Sequence, residues 1–135
     1  MQLLPRPPMV IVIVGMPGSG KTTLMKSLVS SPDYADFCFV DDVFAGSGAK
    51  LKQFRQAQKN NQSIVVSDID FCKTGRLNDF VKGLDAEIWY FSNEPEACKR
   101  NVIRRDSKSV AIQLKLIDGY TKVYNPINPR PVWQE

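Results

Sequence analysis

The sequence predicts an α/β fold: a parallel sheet of four to five strands with helices on both faces. Three observations carry that expectation. Short apolar runs, several of them rich in β-branched residues, lie at 9–14, 37–40, 63–67 and 86–91 and alternate with longer stretches of helical periodicity. The first run leads directly into Gly15-Met16-Pro17-Gly18-Ser19-Gly20-Lys21-Thr22, a G-x-x-x-x-G-K-T loop that opens a helix. No repeat or composition break divides the 135 residues, a length that suits one domain with one core.

Each element has its own local reason. Residues 1–8 are short and proline-rich, which predicts a flexible arm. Met9-Val10-Ile11-Val12-Ile13-Val14 is apolar on both alternating faces, as a buried parallel strand should be. The helix after the loop carries Leu24 and Leu28 on one side and should end at Ser30-Ser31-Pro32, because proline pushes its predecessor out of the helical region. Phe37-Cys38-Phe39-Val40 is the second strand and ends in Asp41-Asp42. A helix over 49–60 follows, with Leu51, Phe54 and Ala57 on one side and lysines and glutamines on the other.

Ser63-Ile64-Val65-Val66-Ser67 is the third strand, closed by Asp68. A helix over 75–84 places Leu77, Phe80, Val81 and Leu84 toward the core. Ala86-Glu87-Ile88-Trp89-Tyr90-Phe91 is the fourth strand, and Pro95 suits the first turn of the helix after it. The last helix spans 110–124, with Leu114, Ile117, Tyr120 and Tyr124 inward. The prolines at 126, 129 and 131 exclude helix beyond it, leaving Val132-Trp133 to form a short edge strand or to lie over the loop.

The chemistry gathers at the strand ends. Glycines let the 15–22 backbone curl so that successive N–H groups face one anion, and the helix N-terminus adds its positive dipole end. In such a loop Lys21 reaches the β- and γ-phosphates and the Thr22 hydroxyl ligates Mg²⁺. Gly15, Pro17, Gly18, Ser19, Gly20, Lys21, Thr22 and Thr23 are therefore the expected nucleotide-binding set. Asp41-Asp42 lies past the carboxyl end of a strand, where open α/β sheets keep their ligand crevice; a solvated turn or helix cap is the alternative. Strand alternation would aim Asp41 into the crevice and Asp42 away. Asp68 has three readings: the Mg²⁺ shell, the acceptor, or a helix cap. Residues 99–108 hold five basic residues and one acid, a net charge of +4 equal to that of the whole chain. Arg100 and Arg104 lie one turn apart and share a face, so a phosphate clamp is expected there.

Composition narrows the function. With 43% hydrophobic and 24% charged residues the chain is of ordinary globular type. The start is too short and proline-rich for a signal peptide, and the 9–14 run is far below the ~20 residues that span a bilayer, so a cytoplasmic protein that engages no membrane is expected. Three widely spaced cysteines form no C-x-x-C, so reduced thiols are expected rather than a disulfide framework or zinc site. Histidine is absent. Any general base must then be a carboxylate, and any metal a hard ion held by oxygens.

These residues resemble the phage polynucleotide kinase type of P-loop kinase, within the nucleoside- and polynucleotide-kinase group. The likeness is carried by the 15–22 loop, by Asp41-Asp42, by Ile64-Val65-Val66-Ser67-Asp68 with Arg76 after it, by Lys99-Arg100-Asn101 followed by Arg104, and by Ile117-Asp118-Gly119-Tyr120 through Tyr124. The resemblance implies one P-loop kinase domain over residues 9–135 that uses ATP and Mg²⁺ to phosphorylate a hydroxyl. In the best-known case the acceptor is a nucleic-acid 5′-hydroxyl; related enzymes modify a hydroxymethylated base in DNA. It implies Asp41 as general base on the acceptor, Asp42, Asp68 and Arg76 as acceptor-side residues, Thr22 and Asp68 near the metal, Arg100 on the nucleotide and Arg104 on transition-state charge. Val40 stands where that family has an arginine, and the segment between the second and third strands is shorter. Three functions remain open at this point: a kinase for nucleic acid or nucleotide, a kinase for a small metabolite, and an ATP-binding accessory module with little turnover. The acidic pair and the arginines favour a kinase, and the lack of an N-K-x-D run counts against a GTPase switch.

Overall fold

A computed structural model of the chain describes residues 8–105 and 109–134. All but Pro8 of the expected arm, and Asp106 and Lys108 of the basic run, lie outside the described residues. Four strands form one parallel sheet: β1 (Val10–Val14), β2 (Cys38–Val40), β3 (Ile64–Ser67) and β4 (Ala86–Tyr90), in the order β2-β3-β1-β4. Five helices connect and follow them: α1 (Lys21–Val29), α2 (Ala49–Lys59), α3 (Thr74–Val81), α4 (Pro95–Arg105) and α5 (Val110–Tyr120).

β1 is buried along its whole length because it has both a neighbour on each edge and a layer on each face. Ile11 and Ile13 point to one side, where Met25 and Leu28 of α1 pack with Phe37 and Val65. Val10, Val12 and Val14 point to the other, against Phe54 and Ala57 of α2, Leu77 of α3, Cys98 and Val102 of α4, and Ile117 and Tyr120 of α5. Travel across the sheet reverses after β2, and the connecting helix changes face with it, as one fixed hand of crossover demands. Phe80, Val81 and Leu84, expected inward, are half-buried and pack against this larger core.

No fifth strand forms among the described residues. Arg130 makes a single parallel bridge to Phe91, and the chain then crosses the loop, with Val132 buried and the Trp133 N–H donating to the Ser19 carbonyl at 2.9 Å. Prolines at 129 and 131 bracket the bridge and remove the amides that a longer ladder needs. The helix expected over 110–124 stops at Tyr120 and turns, yet Tyr124 is still buried and its hydroxyl donates to the Phe91 carbonyl. The three cysteines are free; burial pushes the Cys72 thiol up to about 12 and the Cys98 thiol up to about 11, which keeps both protonated and inert. No helix among the described residues is long and apolar enough to cross a membrane.

Candidate active site

The strand order fixes where a ligand can sit. β1 lies between β3 and β4, so the chain departs to opposite sides at its carboxyl end, and a crevice opens there. A cleft of about 330 Å³ occupies that position, walled by Pro17, Gly18, Gly20, Lys21 and Thr22 of the loop, Asp41 and Asp42 after β2, Ile69 after β3, and Arg105, Gln113 and Leu116 of α4 and α5.

The loop is held in shape from behind. Gly18 has φ +80°, and a Cβ there would sit 2.3 Å from the Cys98 carbonyl oxygen; Gly20 has φ +112°, and its Cβ would meet that of Trp133 at 2.7 Å. Only glycine meets both demands. Asn101, buried on α4, donates through Nδ2 to the Gly18 carbonyl at 2.9 Å and to the Trp133 carbonyl. One amide thus joins the loop, the arginine-bearing helix and the C-terminal segment. Asn101→Ala leaves both carbonyls without that donor, and should lower stability by about 2 kcal/mol, on the scale of buried polar groups left unsatisfied. Urea denaturation reads this directly; an unchanged midpoint would show that water replaces the amide.

Lys21 folds over the loop, its ammonium donating to the Gly15 carbonyl at 2.7 Å and the Met16 carbonyl at 3.0 Å. Burial lowers its pKa from the usual lysine value, and the nearby Asp42 and Asp41 carboxylates oppose that shift. Gly20, in the left-handed region, precedes α1, and no side chain caps that helix end, so its first amides remain for a ligand. The Thr22 hydroxyl donates to Asp41 Oδ2 at 3.0 Å.

Asp41 is the hinge between donor and acceptor sides. Val40 pairs with Val66, so the next position sets Asp41 beside Ser67, whose hydroxyl donates to Asp41 Oδ1. Asp42 does not turn away as alternation predicts. Its φ of +55° leaves the extended region, so the alternating rule ends at Asp41 and both acids wall the cleft. Burial, then the Asp41 carboxylate, raises the Asp42 pKa, with Lys21 opposing.

The remaining predicted residues are spread more widely. Asp68 is buried, and its two oxygens accept from the Phe44 and Asp70 amides, each at 2.9 Å: the helix-cap arrangement. Arg76 lies over the Phe44 ring, 4.1 Å from guanidinium carbon to centroid, in a separate groove between α2 and α3. Arg100 and Arg104 are exposed on α4, and neither walls the cleft. Arg105 does. Cys98, Asn101, Val102 and Arg105 recur at helical spacing, and the first three are buried against the loop side, so Arg105 continues their stripe. That buried stripe was the available signal; pairing arginines one turn apart chose the neighbouring face. Thr23 opens a second, apolar groove of about 420 Å³ with Leu24, Phe91 and Trp133.

No family model matches the chain. An uncharacterized protein of Acanthamoeba polyphaga mimivirus is 29% identical over 125 residues, covering 85% of this chain and 85% of that protein. Among solved structures, a fungal RNA kinase aligns with a TM-score of 0.60 and 19% identity over 90% of this chain and 67% of that one. A gluconokinase from Sinorhizobium meliloti 1021 aligns with a TM-score of 0.59 and 12% identity over 97% and 86%. At these identities the likeness is one of architecture, and the fold is that of P-loop kinases.

Proposed function

We propose that this chain is an ATP-dependent kinase that passes the γ-phosphoryl group to a hydroxyl of a nucleic acid or nucleotide. One observation carries the reading: the Thr22–Asp41 hydrogen bond at 3.0 Å joins a phosphate loop to an acidic strand end inside a single cleft. A switch or accessory module needs the first of these and has no use for the second.

The loop amides and Lys21 hold the β- and γ-phosphates of ATP. Ser19 Oγ is a buried hydroxyl with no partner among the described residues, a group that a bound phosphate would satisfy. The apolar groove beside Thr23, with Trp133 at its rim, suits the flat adenine ring. Thr22, Asp41 and Asp42 supply hard oxygen donors that fit Mg²⁺ shared with the phosphates, where it neutralises charge on the transferred group. Asp68 acts from behind, holding the turns that carry Phe44 and Asp70. Arg105 faces the phosphates from the far wall, with Arg100 and Arg104 on the same helix as outlying positive charge.

Asp41 receives the acceptor. Ser67 pins one carboxylate oxygen and leaves the other, now on Thr22, to be freed when that hydroxyl turns to metal and phosphate. Asp41→Asn should cut turnover by about 10²-fold, the low end for a general base, because an aspartate contributes more by orienting a hydroxyl than by basicity. Nucleotide affinity should survive. Steady-state kinetics with a melting curve test this, and a fully active variant would leave the acceptor side unassigned.

Radiolabelled ATP with a panel of acceptors tests the function itself. Label transfer to a 5′-hydroxyl oligonucleotide, a nucleotide or hydroxymethylated DNA is expected. The fold-level likeness to gluconokinase, which spans nearly all of this chain, supports a second reading as a small-polyol kinase; label appearing only on sugars or polyols would establish that one instead.

A further inference from the structure

We infer that the outer face of α2, with the groove between α2 and α3, is a track for a single strand of nucleic acid lying outside the phosphoryl-transfer cleft. The inference rests on the kinase reading above and narrows its acceptor to a polymer.

Charge distribution is the first argument. Residues 43–67 carry four of the chain's 18 basic side chains and none of its 14 acidic ones, so this stretch alone matches the +4 net charge of the whole. The charge is also ordered. Lys52, Arg55, Gln56 and Lys59 fall at helical spacing and are all exposed, while Phe54 and Ala57 are buried on the opposite side. Among the described residues the salt bridges lie elsewhere, at Lys73–Asp70, Lys99–Glu96 and Lys99–Asp118. A helix face with donors and no carboxylate partner is complementary to a phosphate backbone.

The groove beside it supplies the second argument. About 320 Å³ in volume, it is walled by Arg55 from α2, Arg76, Asp79 and Phe80 from α3, and Phe44 between them. The Arg76 guanidinium already lies over the Phe44 ring. Stacked guanidinium and aromatic planes are what unpaired bases pack on, and the Asp79 carboxylate can accept from a base amino group. The track also begins where the cleft ends. Lys50, in the first turn of α2, donates to the Asp41 carbonyl at 2.7 Å, and Phe44 is three residues past Asp41. A strand with its reacting hydroxyl at Asp41 can continue over α2; an isolated sugar or polyol cannot reach it.

The test uses the Lys52→Glu/Lys59→Glu variant, whose two positions lie outside the cleft. Fluorescence anisotropy would follow a 3′-labelled, 5′-hydroxyl single strand of about 12 nucleotides, within the range of known site sizes, across a salt series. The variant should bind at least about tenfold more weakly, with the log–log salt slope smaller by about 0.7 for each phosphate no longer neutralised. KM for the oligonucleotide should rise with kcat unchanged, while a nucleoside 3′-phosphate, too short to reach α2, should be phosphorylated as before. Lys52→Arg/Lys59→Arg should restore binding. Equal affinity, salt slope and KM in wild type and the Glu variant would overturn the track, as would a wild-type protein that phosphorylates small acceptors and binds no oligonucleotide. Stripe-dependent binding without transfer to any hydroxyl would uphold the track and overturn the kinase reading.

Discussion

Lys21→Ala is expected to reduce phosphoryl transfer to background while the protein still folds. The side chain's two visible partners are the Gly15 and Met16 carbonyls of its own loop, so nothing in either core layer depends on it. Losing those bonds costs roughly 1 kcal/mol each, and relief of the desolvated ammonium offsets part of that cost. The apo variant should therefore melt close to wild type. With ATP and Mg²⁺ present, wild type should gain melting temperature through ligand linkage and the variant should gain much less. A pH signature follows from the same burial. A lysine whose folded-state pKa is lowered holds its proton less tightly when folded, so stability rises as pH climbs from that lowered value toward the unfolded value of 10.5. The variant lacks this rise, and the difference between the two stability curves should shift in favour of wild type across that window. Unchanged transfer would remove the loop from the chemistry; an unfolded variant would show that Lys21 is structural.

Much of this architecture could be read from residue order alone. Strand identity came from β-branched runs such as 10–14, buried on both faces and hence free of alternation. Helix identity came from apolar spacing, as with Phe54 and Ala57 on α2. The loop was legible because its glycines answer a local demand, two residues with positive φ beneath close-packed backbone. What escaped was set by geometry between elements. Ser67 matters because the β2–β3 register puts it beside Asp41, and register is a property of two segments together. Asp42 enters the cleft because a single positive φ ends the strand's alternation. Ile69, Gln113 and Leu116 reach the cleft only through the placement of their elements around it. Asp68 shows the reverse case: an acid at a strand end, with three readings in sequence, takes the cap because two amides lie within reach of it.

The sharpest test of that difference is the arginine pair at the end of α4. Arg105→Ala should lower turnover by about 10³-fold, the lower range of arginine contributions to phosphoryl transfer, and Arg104→Ala by much less. Successive helical residues point about 100° apart, so one of the two can face the cleft and the other cannot. Asn101 and Val102, one turn earlier, are buried toward the loop, which orients Arg105 and not Arg104. In the transition state the equatorial oxygens of the transferred group gain the stabilisation, so kcat should fall while ATP affinity, measured separately by titration calorimetry, weakens only slightly. Arg105→Lys should recover little, because a point charge does not reproduce a planar, forked donor. Both arginines have partners in the folded protein, so each variant needs a melting curve beside its kinetics. Equal losses of binding and turnover at Arg105 would make it a ground-state phosphate ligand. A larger loss at Arg104 would mean that α4 rotates on closing, and would return the role to the residue that helical pairing in the sequence selects.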